Sequence, residues 1–235
     1  MIRIRNLWKR FGKNDVLKGL NLDVNQGEIL VILGRSGVGK SVLLRHIIGI
    51  EKPDRGTIEV DVKEKDMGML FQGSALFDSM TIGENTAFFL NQHEKFSKQV
   101  VEQKVKEALA MVGLEGTENK MPSDLSGGMR KRAGLARLLV YRPKILLYDE
   151  PTTGLDPITA QQINELIVKT QEELKGTSIV VTHDIDSALF IADRLALHQD
   201  GQIAHIAEPE TFLQIDNPII NFLRESLKHN HRKHQ

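Results

Sequence analysis

Apolar positions along this chain follow two rhythms. In Ile2-Arg-Ile-Arg-Asn-Leu7 and Leu20-Asn-Leu-Asp-Val24 they alternate with polar ones, as in strands exposed on one face. Thr57-Ile-Glu-Val-Asp-Val62 alternates too and is expected at a sheet edge. Ile29-Leu-Val-Ile-Leu33, Met67-Gly-Met-Leu-Phe71, Ile145-Leu-Leu-Tyr148 and Ser178-Ile-Val-Val-Thr182 are short continuous apolar runs. Strands buried on both faces read this way. The helical rhythm appears between them. Val42 to Ile48 predicts a buried helix, and Lys98 to Gly113 an amphipathic one with Val101, Val105, Leu109 and Val112 on one face. Leu125-Ser-Gly-Gly128 opens a helix through Ala133, Ala136 and Leu139. Thr159 to Leu174 is the next, carrying Ile163, Leu166 and Ile167, and a shorter one holds Ala188, Ile191 and Ala192. Leu195 to Ile206 reads as a hairpin turning at Asp200-Gly201, followed by two short helices. Trp8-Lys-Arg-Phe-Gly12 reads as an aromatic loop and Lys63-Glu-Lys-Asp66 as a solvated turn.

Strands alternating with helices predict an α/β fold around a parallel sheet. Residues 1–235 read as a single domain, with 1–72 and 142–235 as the core and about 73–141 as a helical insert. Residues 228–235 read as a flexible basic tail.

Composition removes several classes of function. Lys plus Arg and Asp plus Glu number 31 each, so bulk charge favours neither nucleic acid nor an anionic membrane, and no nucleic-acid partner is expected. The 235 residues hold no cysteine, which excludes disulfides, thiol catalysis and thiolate metal sites. No signal peptide is evident, and no apolar run approaches the ~20 residues that span a bilayer. The expectation is a soluble cytoplasmic chain whose membrane-spanning part, if it has one, is another polypeptide.

The candidate chemistry centres on Gly34, Arg35, Ser36, Gly37, Val38, Gly39, Lys40 and Ser41, with Val42 next. They fit the phosphate-loop pattern G-x-x-x-x-G-K-[ST] between a buried strand and a helix. Glycines let successive N–H groups point at one anion, and the helix aims its positive end there. Lys40 is expected to reach the β- and γ-phosphates and the Ser41 hydroxyl to ligate Mg²⁺. Asp149 and Glu150 end a buried strand. In phosphate-loop proteins the first holds the Mg²⁺ shell, and the second, one step on, can take a proton from the attacking water. Ser126, Gly127 and Gly128 combine an N-cap with unshielded amides, a second anion cradle. Glycines in a first helical turn are costly, and a phosphate approaching the backbone is the expected reason.

Taken in order, these motifs, with Gln72 after a strand, Gly154-Leu155-Asp156 and Thr182-His183-Asp184, resemble the nucleotide-binding subunit of an ABC transporter over nearly the whole chain. That resemblance implies a P-loop NTPase (RecA-like) parallel-sheet core, an antiparallel β subdomain and a helical insert carrying the signature motif. By the same resemblance Phe11 stacks on adenine, Gln72 senses Mg²⁺ and the attacking water, Asp156 touches the opposite subunit and His183 contacts the γ-phosphate. It implies ATP and Mg²⁺, a second copy in a head-to-tail dimer, and integral membrane permease subunits. The chain is then peripheral on the cytoplasmic face of the inner membrane. Gln72 to Leu90, with Phe77, Phe88 and Phe89, would help form the groove for a permease helix.

A finer resemblance is to the ATPases of Mla/Mce lipid transport. Met69-Leu-Phe-Gln-Gly-Ser-Ala-Leu-Phe77 and Met121-Pro-Ser-Asp-Leu-Ser-Gly-Gly-Met-Arg-Lys-Arg-Ala133 carry it, with Met129 where most ABC subunits have glutamine. It implies phospholipid cargo and a periplasmic lipid-binding partner. Polar amino-acid importer subunits are the nearest alternative, and non-transport ABC ATPases a further one. A GTPase or kinase lacks the signature stretch. Arg130-Lys131-Arg132 reads as a solvated helix face, and His46, His93, His198 and His205 as structural or surface residues.

Overall fold

The computed structural model describes residues 1–232, and side-chain surroundings through residue 227. In chain order its elements are β1 (Ile2–Phe11), β2 (Asn14–Val24), β3 (Ile29–Leu33), α1 (Lys40–Ile47), β4 (Arg55–Val60), β5 (Met67–Leu70), α2 (Ile82–His93), α3 (Lys98–Met111), α4 (Gly127–Leu139), β6 (Ile145–Asp149), α5 (Pro157–Leu174), β7 (Thr177–Thr182), α6 (Ile185–Ile191), β8 (Arg194–Gln199), β9 (Gln202–Ala207), α7 (Pro209–Phe212) and α8 (Pro218–Arg232).

β3, β6 and β7 are buried at every position. They stand inside a six-stranded sheet of order β5-β6-β7-β3-β8-β9, in which only β9 runs antiparallel. Successive side chains of a strand point to opposite faces, so each central strand feeds two cores. Leu30, Ile32, Leu147 and Val181 pack with Leu43 and Leu44 of α1 and with Leu20 and Val24 of β2. Val31, Leu33, Tyr148 and Val180 pack with Ala136 of α4, Ile163 and Ile167 of α5 and Ala188 of α6. Each Val, Leu or Ile among them contributes about 1.5–3 kcal/mol on burial. A polar residue on either face of these strands would therefore be costly, which is why their sequence shows no alternation. β2, β1 and β4 form a separate antiparallel sheet, with β4 at one edge.

Two expectations change. Trp8 to Phe11 belongs to β1 rather than to a loop. Asn6 takes a left-handed φ of 50° and the ladder slips on either side of Leu7, then resumes with Trp8 opposite Lys18 and Phe11 opposite Asn14. A bulge of this kind breaks the alternation that marks a strand. Glu64–Asp66, by contrast, forms a turn of 3₁₀ helix with no buried residue, as the expected solvated turn. At the other end, helical backbone continues through Arg232 where a frayed tail from Lys228 is expected; residues 233–235 lie outside those described. The helix α2 has no counterpart in the periodicity reading. Its start is fixed by a capping box, in which Thr81 Oγ1 accepts from Glu84 N and Thr81 N donates to Glu84 Oε2 at 2.7 Å.

Among the described residues no helix is long and apolar enough to cross a membrane. The carboxyl ends of β3, β6 and β7 lead respectively into the Gly34 loop, Glu150 and His183. In open parallel sheets that edge is where ligands bind.

Candidate functional site

α1 starts at Lys40 behind Gly39, which offers no capping side chain, so the first amides of the helix stay open toward the loop. The Lys40 ammonium turns back over this loop. It donates to Gly34 O at 2.7 Å and Arg35 O at 3.1 Å and lies 3.3 Å from Glu150 Oε1. Ser41 Oγ donates to Asp149 Oδ1 at 2.7 Å. Burial pushes the Asp149 carboxyl up, and the Ser41 hydrogen bond opposes that shift. Glu150 is 8% exposed and takes φ 48°, a left-handed backbone for a residue with a side chain. Such strain is held by surroundings that over-determine it. Glu150 N donates to Val181 O, and Glu150 Oε2 accepts from Thr153 Oγ1 at 3.0 Å and lies 2.8 Å from His183 Nδ1.

These groups share one cleft of about 360 Å³, walled by the loop, Gln72, Glu150, Thr153 and His183. Val16, Val42 and Arg45 also line it. Val16, Arg45 and Thr153 are additions that the sequence did not point to. Thr153 lies three residues after Glu150, a spacing that places it back over the carboxylate and could have served as a signal. Asp149 reaches the cleft through Ser41. Gly34, Arg35 and Val38 belong to the loop backbone outside that lining. Beneath the loop, His198 of β8 is 1% exposed, and burial first, then nearby Lys40, pushes its pKa down to about 4.

Other expected site residues stand apart. Phe11 is 43% exposed at the end of β1 and does not line the cleft; Lys9 Nζ lies 5.1 Å from its ring centroid. Ser126 caps α4 by accepting from Met129 N at 3.3 Å, with Gly127 exposed beside it. Gly128 is buried for a reason within the chain: a Cβ there would lie 2.4 Å from Thr159 Cγ2 of α5. The Thr159 methyl packed over it gives that glycine a reason within the chain, beside the phosphate approach expected from the sequence. Asp156 caps α5, accepting from Thr159 N at 3.0 Å and from Thr159 Oγ1 at 2.6 Å, bonds that hold its exposed carboxyl below the usual range.

The charged triplet after the signature stretch is not a solvated face. Arg130 is exposed and donates to Leu125 O, but Lys131 is 6% exposed and donates to Gln72 O, and Arg132 bonds Val112 O and Gly113 O. A run of three basic residues on a helix necessarily turns through most of its circumference. Between α2, β5 and α4 lies an aromatic groove where Phe89 stacks on Tyr141 at 4.0 Å, and Phe77 tilts against Phe88 at 4.7 Å.

The donors near the loop suit a hard divalent cation. Ser41 Oγ and Asp149 Oδ1 are adjacent oxygens, and Gln72 shares the cleft. Among the described residues no group of three or more His, Cys, Asp or Glu could hold a metal alone. Ser41 and Asp149 fit Mg²⁺, which binds through one or two carboxylates together with substrate phosphates and water.

Comparison with known proteins agrees with this geometry. The pattern of the ABC transporter family matches residues 17–153. The probable ribonucleotide transport ATP-binding protein mkl of Mycobacterium leprae (strain TN) is 38% identical over 93% of this chain and 67% of its own length. The protein trigalactosyldiacylglycerol 3, chloroplastic, of Arabidopsis thaliana is 36% identical over 94% of this chain and 72% of its own. The chain spans about two thirds of the length of the mycobacterial relatives. Among solved structures, a dimeric ATP-binding cassette in a post-hydrolysis state with ADP and Pi is 32% identical with a TM-score of 0.80, covering 88% of this chain and 98% of that one. Fold and site together define an ATPase cassette of the P-loop class. The chain belongs to the ABC transporter family.

Proposed function

We propose that this chain is the ATP-hydrolysing subunit of a transporter whose cargo passes through separate membrane subunits. The observation that carries the reading is the convergence on Glu150 of Lys40, Thr153 and His183 within the phosphate-loop cleft. ATP lies along the loop with its β- and γ-phosphates against Lys40, and Phe11 serves the adenine. Ser41 and Asp149, with Gln72 beside them, would hold Mg²⁺, which would supply charge stabilisation to the phosphate oxygens. Glu150 accepts the proton of the attacking water, held in register by Thr153 and His183. His183 is half exposed, so its other ring nitrogen is free to meet the γ-phosphate. Lys40 offsets the charge of Glu150 at 3.3 Å.

Ser126, Gly127 and Asp156 lie outside the cleft of their own chain. That separation supports a composite site in which a second copy, head to tail, presents its signature stretch to this phosphate loop. The aromatic groove beside α4 is the docking place for a permease helix, which puts the chain on the cytoplasmic face of the inner membrane.

For cargo we propose phospholipid, with a periplasmic lipid-binding partner. Met129 and the passages around Gln72 and Ser126 support this, and the galactolipid named in the Arabidopsis relative supports a lipid cargo in general. The ribonucleotide of the mycobacterial name, a polar amino acid, and a non-transport ATPase role are the competing readings.

Glu150→Gln tests the chemistry. The amide keeps the shape but accepts no proton, so ATP binding should persist while turnover falls by about 10²–10⁴. Turnover equal to wild type removes Glu150 from the role of base. Purifying the native complex from membranes tests the cargo: phospholipid should co-elute with permease and lipid-binding subunits, and a soluble amino-acid-binding protein in their place refutes it.

A further inference from the structure

The loop that leaves β5 carries Gln72 and then takes an unusual path. Ser74 and Ala75, successive residues with side chains, have left-handed φ of 65° and 48°. Such conformations persist only where neighbours over-determine them. The neighbours here are two cations of α4. Lys131 Nζ donates to Gln72 O, and Arg137 Nη1 donates to Ala75 O at 2.5 Å while its guanidinium lies 4.5 Å from the Phe77 ring. Gly134 sits between them on the same helix face, and a Cβ there would be 3.1 Å from Ser74 O. The helix is therefore pressed onto the loop at one turn and bonded to it at the turns before and after.

Lys131 is the informative member. A buried ammonium is costly unless it has partners, and a surface lysine would hold nothing. Lys131 is 6% exposed, and its bond to Gln72 O gives the buried charge its partner. The same helix begins at Ser126. We propose that Lys131 is a positioning residue: it fixes the backbone of Gln72 to the helix that carries Ser126 and Gly127, so that Gln72 and the signature stretch move as one body. The inference rests on the reading that Gln72 serves the cleft.

The test is steady-state ATPase of the full-length chain carrying Gln72→Ala, Lys131→Met, both together, or Lys131→Arg. A lysine that acts by placing Gln72 lowers kcat by about 10- to 100-fold when replaced by methionine. KM for ATP should stay within about twofold, since ground-state binding is untouched. The double variant should be no slower than the slower single variant, because the second lesion finds its route already cut. Lys131→Arg should restore part of the rate, and amide exchange of residues 72–77 should quicken in Lys131→Met while that of β6 does not. Losses that multiply in the double variant, or normal turnover of Lys131→Met beside a slow Gln72→Ala, overturn the inference. Normal turnover of Gln72→Ala overturns the reading beneath it instead. If Lys131→Met does not fold, Lys131→Gln replaces it in the same comparisons.

Discussion

His198 makes a measurable prediction. Among the described residues neither of its ring nitrogens has a hydrogen-bond partner, and the ring is 1% exposed. With a pKa of about 4 in the fold against 6.5 in an unfolded chain, it is neutral in the folded protein throughout the physiological range. Once pH falls below 6.5 the unfolded chain gains a proton that the folded chain refuses. Stability is therefore full above pH 6.5, declines from there to about pH 4, and loses nothing more from this residue below that. The whole interval is worth about 3 kcal/mol, and the part between pH 7 and 5.5 about 1 kcal/mol. Leucine has nearly the volume of histidine and does not titrate. Chemical denaturation of the wild type and of His198→Leu, repeated from pH 7.5 to 5, isolates the residue from every other titrating group by difference. The variant should gain about 1 kcal/mol relative to wild type on going from pH 7 to 5.5, which in a chain of 235 residues is about 2–4 °C in Tm. Stability curves that run parallel across this range would show that the ring is solvated or partnered and would refute the argument.

Two further outcomes follow from the site. Phe11→Ala should leave the fold intact, because the ring is 43% exposed, yet weaken ATP binding by about 1–3 kcal/mol, with a similar loss for GTP; normal binding by equilibrium fluorescence removes Phe11 as the stacking residue. Lys40→Ala and Ser126→Arg should each be inactive alone and regain partial ATPase activity when mixed, because the mixed dimer holds one whole composite site. Absence of rescue, together with activity that stays first-order in protein down to a demonstrated monomer, refutes the head-to-tail arrangement.

Much of the sheet was legible because its strands are buried on both sides, and burial on both sides demands a short, unbroken apolar run. The residues the sequence singled out at three separate places, Lys40 with Ser41, Asp149 with Glu150, and His183, meet within 3.3 Å of a neighbour in one cleft. Periodicity failed where the backbone departs from a regular repeat. The bulge at Asn6 hid the second half of β1, and α2 is announced by its cap, Thr81 with Glu84, rather than by its apolar spacing. Lys131 was unreadable for another reason. Charge alone does not say which side of a helix faces the core, and only the position of the Gln72 loop decides it.

Thr159 occupies a singular place. It bonds Asp156 with both its amide and its hydroxyl, and its methyl fills the space over Gly128. Any side chain added at 128 thus pushes on the residue that completes the cap of α5. A loss of activity in Gly128→Ala consequently mixes packing with any lost phosphate contact, and an experimenter scanning the signature stretch would have to separate the two. Gly127, whose added Cβ would meet nothing nearer than Leu155 Cδ2 at 4.0 Å, is the position at which genetics can read the contact cleanly.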